Sequence, residues 1–251
     1  MIKRKKLLRI VLFCAALAVF LIAGYQLYSY FSETIADEKF KNSIADEAVE
    51  AVEVEEAYSD NKETPPISVD FDALKSENED IVAWIYCENT PINYPIVQSS
   101  DNSYYLNRRI DKQYSKMGTL FLDYRNSFDF SDLNSIVYGH NMKVDTMFGV
   151  LPNYRDQEYY ESHPVMWLFT PQNSYKIELF AGFLTTDTSD IYSIKDSREE
   201  FNQYLNEAVS SSVFTSNIEV SPDKNIILLS TCSYETDNSR FVLLGNLVSV
   251  N

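Results

Sequence analysis

Histidine and cysteine are scarce in this chain: two of the first and three of the second in 251 residues. The cysteines stand at 14, 87 and 232, a spacing that offers neither a metal-ligand cluster nor a disulfide framework. Cys87 is therefore read as a small buried hydrophobe. Acidic pieces such as D-F-D at 70–72 and D-T-S-D at 187–190 lack the spacing of a calcium loop, so no metal and no cofactor is expected. Glycine is rare too, with 6 residues, whereas 18 Tyr and 15 Phe can build a substantial core and argue against wholesale disorder. Basic residues number 21 against 37 acidic ones, and five of them (Lys3, Arg4, Lys5, Lys6 and Arg9) fall in the first nine positions. The rest of the chain holds 16 basic against 37 acidic residues, a charge of −21. Such a surface excludes a nucleic-acid partner, which needs a basic face.

The charge pattern also divides the chain. Residues 1–9 form a basic flank, and residues 10–28 are nearly all apolar, with Gln26 the single strongly polar residue. About 20 such residues span a hydrocarbon core as a helix. Residues 10–30 are thus expected as a transmembrane anchor, with the basic flank in the cytoplasm and everything later outside the membrane. A cleaved signal peptide is the rival reading, but Leu21-Ile22-Ala23-Gly24-Tyr25 offers no small-x-small cleavage site. Residues 31–66 follow as an acidic stalk or linker: 33–63 carry 11 acidic and 3 basic residues in an Ala/Val/Glu pattern that fits either a weak helix or extended chain, and Pro65-Pro66 end the segment.

Residues 67–251 form the folded domain. Asp70 is expected to cap a short helix, and strands are expected at 81–86, 92–98, 118–123, 135–138, 165–170, 175–184, 225–231 and 240–250. Short helical turns are placed near 101–106, 147–154 and 157–162. The clearest helix is 198–211, where Ser197 and Glu200 make a capping box and Phe201, Leu205, Ala208 and Val209 form one apolar face. About eight strands with short inserts and one longer helix predict a mostly β domain, a largely antiparallel barrel or sandwich.

The chemistry gathers at strand ends. Ile226 to Leu229 make a continuous apolar run that delivers Ser230, Thr231 and Cys232 at its end, and Arg240 opens the next strand. If these two strands pair, thiol and guanidinium are neighbours. A free thiol is a weak nucleophile until a base or a charge partner activates it. His140, directly after the strand ending in I-V-Y-G, is the better base candidate; His163, before a proline, suits a turn role. Asp237 lies near Cys232 in sequence but is read as a solvated loop residue.

Taken in order, several motifs resemble a class B sortase: L-S-T-C at 229–232, the following Arg240, and Y-G-H-N-M at 138–142. Y-P-I-V-Q at 94–98, D-N-S-Y-Y-L at 101–106, F-L-D-Y-R-N at 121–126 and M-F-G-V-L at 147–151 support the match, as does the helix at 198–211. The resemblance implies an eight-stranded β-barrel and a membrane-anchored cysteine transpeptidase on the surface of Gram-positive bacteria. Such an enzyme cleaves the C-terminal sorting motif of a surface protein, holds it as a thioester, and passes it to an amine of a cell-wall (peptidoglycan) precursor or a pilin lysine. It further implies Cys232 as nucleophile, His140 as acid and base, and Arg240 as substrate and oxyanion holder. Asn102, Leu106, Tyr138, Tyr192, Ser230 and Thr231 would line the substrate groove. A hydrolytic cysteine peptidase of the same fold and a non-catalytic surface module stay open as alternatives.

Overall fold

A computed structural model describes residues 2–52, 64–142, 146–233 and 238–250. Residues 53–63 of the acidic segment and Asp237 lie outside the described residues. The chain divides into two units, Met1–Asn42 and Ser43–Asn251.

Helix α1 (Ile2–Ala48) is long and apolar enough over part of its length to cross a membrane. Leu12, Phe13, Phe20 and Tyr25 are exposed along it. The helix runs on into the acidic stretch because Ala, Glu and Lys are all strong helix formers. Strand β1 (Val49–Ala51) then pairs antiparallel with β2 (Ile67–Val69), setting Val49 opposite Val69 and Ala51 opposite Ile67. The first part of the expected stalk is thus helix as far as Ala48 and then a short strand. Asp70 caps α2 (Phe71–Glu77) by accepting from the Asp72 and Ala73 N–H groups, as its placement before an apolar residue predicts.

Eight further strands close into a barrel: β3 (Ile81–Tyr86), β4 (Asn93–Val97), β5 (Leu120–Leu122), β6 (Asn134–Gly139), β7 (Val165–Phe169), β8 (Ser174–Thr186), β9 (Ile226–Cys232) and β10 (Ser239–Ser249). Around the barrel the order is β10-β8-β7-β3-β4-β5-β6-β9. Neighbours run antiparallel except β4–β5 and β6–β9, which are parallel. Each expected strand exists, and the expected eight-stranded barrel is the fold.

The continuous apolar run of β9 has a clear cause. Ile227 and Leu229 face the barrel interior, packed with Ile85, Leu120 and Phe241, whereas Ile226 and Leu228 face outward. That outer face is covered by α4 (Arg198–Ser211) through Phe201, Tyr204, Leu205 and Ala208. A strand buried on both faces loses the polar alternation of a half-exposed one. Ser197 caps α4 by accepting from the Glu200 N–H. Val209, expected on the covered face, is 45% exposed, and Tyr204 takes its place. Residues 201, 204, 205 and 208 make the i, i+3, i+4, i+7 stripe, while 209 falls at its edge. The Tyr204 hydroxyl is satisfied by the Ile191 carbonyl at 3.1 Å.

His163 ends α3 (Gln157–Ser162), its Nδ1 within 3.1 Å of the Tyr159 carbonyl, which is the expected turn role. Cys87 is buried and free, and Cys232 is free as well. Burial pushes the Cys87 thiol pKa up.

Candidate active site

Three adjacent strands meet one rim of the barrel, β6 and β9 by their ends and β10 by its start, and each brings one polar side chain there. In the antiparallel β9–β10 ladder Arg240 is the direct partner of Cys232. The Ser233 N–H donates to the Ser239 carbonyl at 2.8 Å, which makes the adjacent Cys232–Arg240 position a non-hydrogen-bonded pair. At such positions opposed Cα atoms come to about 4.5 Å and the side chains lie closest. On the other side of β9 the parallel partner is β6, whose Gly139 is level with Thr231. His140 and Cys232 each come one residue after that last ladder pair, and both line the same cleft. Asn141 closes this edge by donating from Nδ2 to the Cys232 carbonyl at 2.8 Å.

The His140 ring is held by backbone. Its Nε2 lies 2.7 Å from the Leu106 carbonyl, at the 3-10 turn Tyr104–Asn107. A carbonyl only accepts, so Nε2 carries the proton. Among the described residues no carboxylate bonds to His140; the orienting third group is the Leu106 carbonyl. Gly139 is required just before it, because a methyl group there would run into Leu120 and the Phe148 ring. Gly118 has a similar role on the opposite wall. It adopts φ +60°, and a Cβ there would sit 2.5 Å from the Leu106 carbonyl oxygen that receives His140.

Arg240 is half-buried, and its Nη2 lies 3.5 Å from the Asp187 carboxylate. Asp187 follows β8, and its N–H continues the ladder by donating to the Asn238 carbonyl at 3.3 Å. The carboxylate is therefore placed by backbone pairing on the strand edge that carries the guanidinium.

All nine residues singled out from sequence line one cleft of about 420 Å³: Cys232, His140, Arg240, Asn102, Leu106, Tyr138, Tyr192, Ser230 and Thr231. Phe121, Arg125, Gly139 and Asp187 complete its lining. Alternation along β9 puts the Ser230 and Cys232 side chains on one face and Thr231 on the other. The Ser230 hydroxyl bonds the Tyr192 hydroxyl at 2.8 Å. The Tyr138 ring stacks against Phe121 at 5.2 Å and Tyr192 at 6.0 Å between centroids. Burial, chiefly, pushes the Tyr192 phenol pKa up to about 12 and raises that of Tyr138 further, aided by the nearby Asp123 charge. Both stay neutral hydrogen-bonding groups at physiological pH.

Sequence reasoning gives no role to Asp123, Arg125 or Asp187. Asp123 and Arg125 sit inside the F-L-D-Y-R-N motif, where an acid directly after the apolar run Leu120–Leu122 is the available signal of a buried charge. Asp187 stands out in sequence only as part of an acidic piece without calcium spacing. Its pairing with Arg240 depends on a strand contact 53 positions away along the chain, and no local pattern encodes that.

An acyl-transfer site needs a nucleophile, a proton carrier and a donor for the oxyanion, set around an open groove. Cys232, His140 and Arg240 are the residue types for those roles, and the cleft is open to a chain segment.

No family model matches the chain. It is 36% identical over 238 residues to sortase B of Listeria monocytogenes, covering 93% of this chain and 94% of that protein. The Staphylococcus aureus sortase B–substrate complex superposes with a TM-score of 0.69 at 31% identity, covering 72% of this chain and 85% of the other. A crystal structure of sortase B complexed with triglycine gives the same TM-score and identity, covering 72% and 86%.

Proposed function

The chain belongs to the sortase B family of cysteine transpeptidases, and from that premise we propose how its cleft performs the reaction and on what. The Cys232 sulfur attacks the carbonyl carbon of the scissile bond in a surface protein's C-terminal sorting motif, its thiol proton passing to His140. His140 gives a proton to the departing amine as the C–N bond breaks, leaving a thioester on Cys232. An incoming amine attacks the thioester, its proton passes to His140, and the C–S bond breaks as His140 returns a proton to the sulfur, restoring the thiol. Arg240, held at the cleft by Asp187, stabilises the oxyanion in both steps. Asn102, Leu106, Tyr138, Tyr192, Ser230 and Thr231 bind the sorting peptide.

The row formed by His140, Cys232 and Arg240 across β6, β9 and β10 carries this reading. The acceptor is an amine of a peptidoglycan precursor or a pilin lysine; a related sortase B has been crystallised with triglycine, a peptide with a free amine. Residues 10–30 anchor the chain in the membrane, with 1–9 in the cytoplasm. Residues 31–66 act as a stalk, and 67–251 form the catalytic domain outside the cell. The exposed apolar surface of α1 supports this placement.

A panel of fluorogenic peptides carrying Leu-Pro, Asn-Pro and Ser-Pro sorting motifs, with and without triglycine, tests the proposal. Cleavage that yields a triglycine conjugate, and that is lost in Cys232→Ala, is the expected result. Equal cleavage by Cys232→Ala overturns it. Product release indifferent to triglycine, with no conjugate formed, assigns a hydrolase instead.

A further inference from the structure

Asp123 directly follows β5, and its side chain has no exposed surface. Five donors converge on it. The Arg125 N–H (3.0 Å) and Nε (2.8 Å) bond Oδ1. Arg125 Nη2 (2.8 Å), Asn102 Nδ2 (2.9 Å) and the Tyr138 hydroxyl (2.9 Å) bond Oδ2. A carboxylate offers about four lone-pair positions, so this one is saturated and has nothing left for a substrate. A buried charge is costly to desolvate and is kept only where paired and fully bonded.

The identity of the donors gives the carboxylate its meaning. Asn102 and Tyr138 are two of the proposed peptide-binding residues. Arg125 Nη2 also donates to the Tyr192 carbonyl at 2.9 Å, which ties in a third. Asn102 is held at its other end as well, since its Oδ1 accepts from the Tyr124 N–H at 3.0 Å. That leaves its amide a single orientation. Three groove walls therefore converge on one carboxylate: the loop before the 3-10 turn Tyr104–Asn107, strand β6, and the 3-10 turn Asp190–Tyr192. None of the five bonds reaches Cys232, His140 or Arg240.

We propose that Asp123 is a positioning residue for peptide recognition: it pre-orders Asn102, Tyr138 and, through Arg125, Tyr192, and so sets how tightly the groove holds the sorting peptide without entering the chemistry at Cys232. This rests on the transpeptidase reading above. Pre-ordering a groove lowers the cost of binding, and an effect on binding shared by ground and transition states appears in KM.

The test compares Asp123→Asn with wild type on whichever sorting peptide wild type cleaves. Asn keeps the shape and removes the charge that strengthens the bonds from Arg125, Asn102 and Tyr138. The expected result is a KM raised ~10- to 100-fold with kcat within about twofold. The rate at which a small methanethiosulfonate reagent modifies Cys232 should stay at the wild-type value. A wild-type KM, or a loss confined to kcat, overturns the inference. If Asp123→Asn does not fold, Tyr138→Phe carries the test, since it deletes one donor to Asp123 and keeps the ring stack. KM should then rise ~3- to 10-fold with Cys232 reactivity unchanged, and an unchanged KM overturns the inference. A wild-type protein that turns over none of the peptides fails the transpeptidase reading and takes this inference with it. Active wild type beside an Asp123→Asn protein of equal KM fails the inference alone.

Discussion

Arg240 lies directly opposite Cys232 across the β9–β10 ladder, at a position where side chains approach more closely than at the flanking hydrogen-bonded pairs. The guanidinium is thereby delivered to the thiol by strand register rather than by a flexible loop. Replacing Arg240 by Ala should lower kcat on the sorting peptide by on the order of 10²–10³, the usual cost of losing one oxyanion donor. Lys should not restore the rate, because an ammonium lacks the planar fork that can hold Asp187 and the oxyanion at once. Steady-state kinetics of Arg240→Ala and Arg240→Lys check this; a full rescue by Lys would reduce Arg240 to a point charge.

Asp123 makes acid stability specific to one residue. Burial works to push its carboxyl pKa up, but the bonds from Arg125, Asn102 and Tyr138 outweigh it and hold the group below the usual carboxylate range. The folded state therefore binds this proton less readily than the unfolded chain, whose Asp titrates near about pH 4. Stability from Asp123 is fully present above that pH and is lost as pH falls toward the lower folded value. Denaturant midpoints of wild type should drop more steeply below about pH 4 than those of Asp123→Asn, while other carboxylates contribute equally to both curves. Parallel curves would mean that Asp123 is not the linked group.

The covering of β9 by α4 should appear in stability rather than in chemistry. Phe201 is fully buried against the outer face of the barrel, beside Leu228 and Leu244. Phe201→Ala should destabilise the protein by about 3–5 kcal/mol, read as a shift in urea midpoint with unchanged slope. Val209→Ala, at an exposed position of the same helix, should cost about 0.5 kcal/mol or less.

How far the site is legible in sequence follows from where its information sits. Cys232 and His140 announce themselves because each ends an apolar run, a local pattern that a barrel rim turns into proximity. The groove residues come from motif resemblance, and the cleft does gather them. Periodicity misplaces Val209 because it does not say where a helix face ends; Tyr204, amphipathic and hydrogen-bonded through its hydroxyl, fills the stripe instead. The Ala/Val/Glu pattern past residue 30 allows helix or extended chain, and α1 takes the helical alternative as far as Ala48. Asp187 is invisible as a positioning group because its partner Arg240 lies 53 positions on, and Asp123 shows only as an acid after an apolar run, since Asn102 and Tyr138 reach it from other segments.

The two folded-domain cysteines should differ sharply in reactivity. Cys87 is 1% exposed, and burial pushes its thiol pKa up, whereas Cys232 lines the open cleft. In native protein a methanethiosulfonate reagent should label Cys232 and spare Cys87, and unfolding in guanidinium should expose both. Peptide mapping after the reaction is quenched reads the outcome; labelling of Cys87 in the native state would contradict the buried placement.

The central claim is that acyl transfer runs through the Cys232 sulfur. Intact-mass and peptide-mapping spectrometry of protein mixed with a cleavable sorting peptide, without an amine acceptor, tests it most directly. The account predicts an adduct equal to the N-terminal fragment of the peptide, located on Cys232 as a thioester and discharged when triglycine is added. It predicts no adduct in Cys232→Ala and slower formation and discharge of the adduct in His140→Ala. Turnover with the adduct on another residue, or turnover in Cys232→Ala, would contradict it.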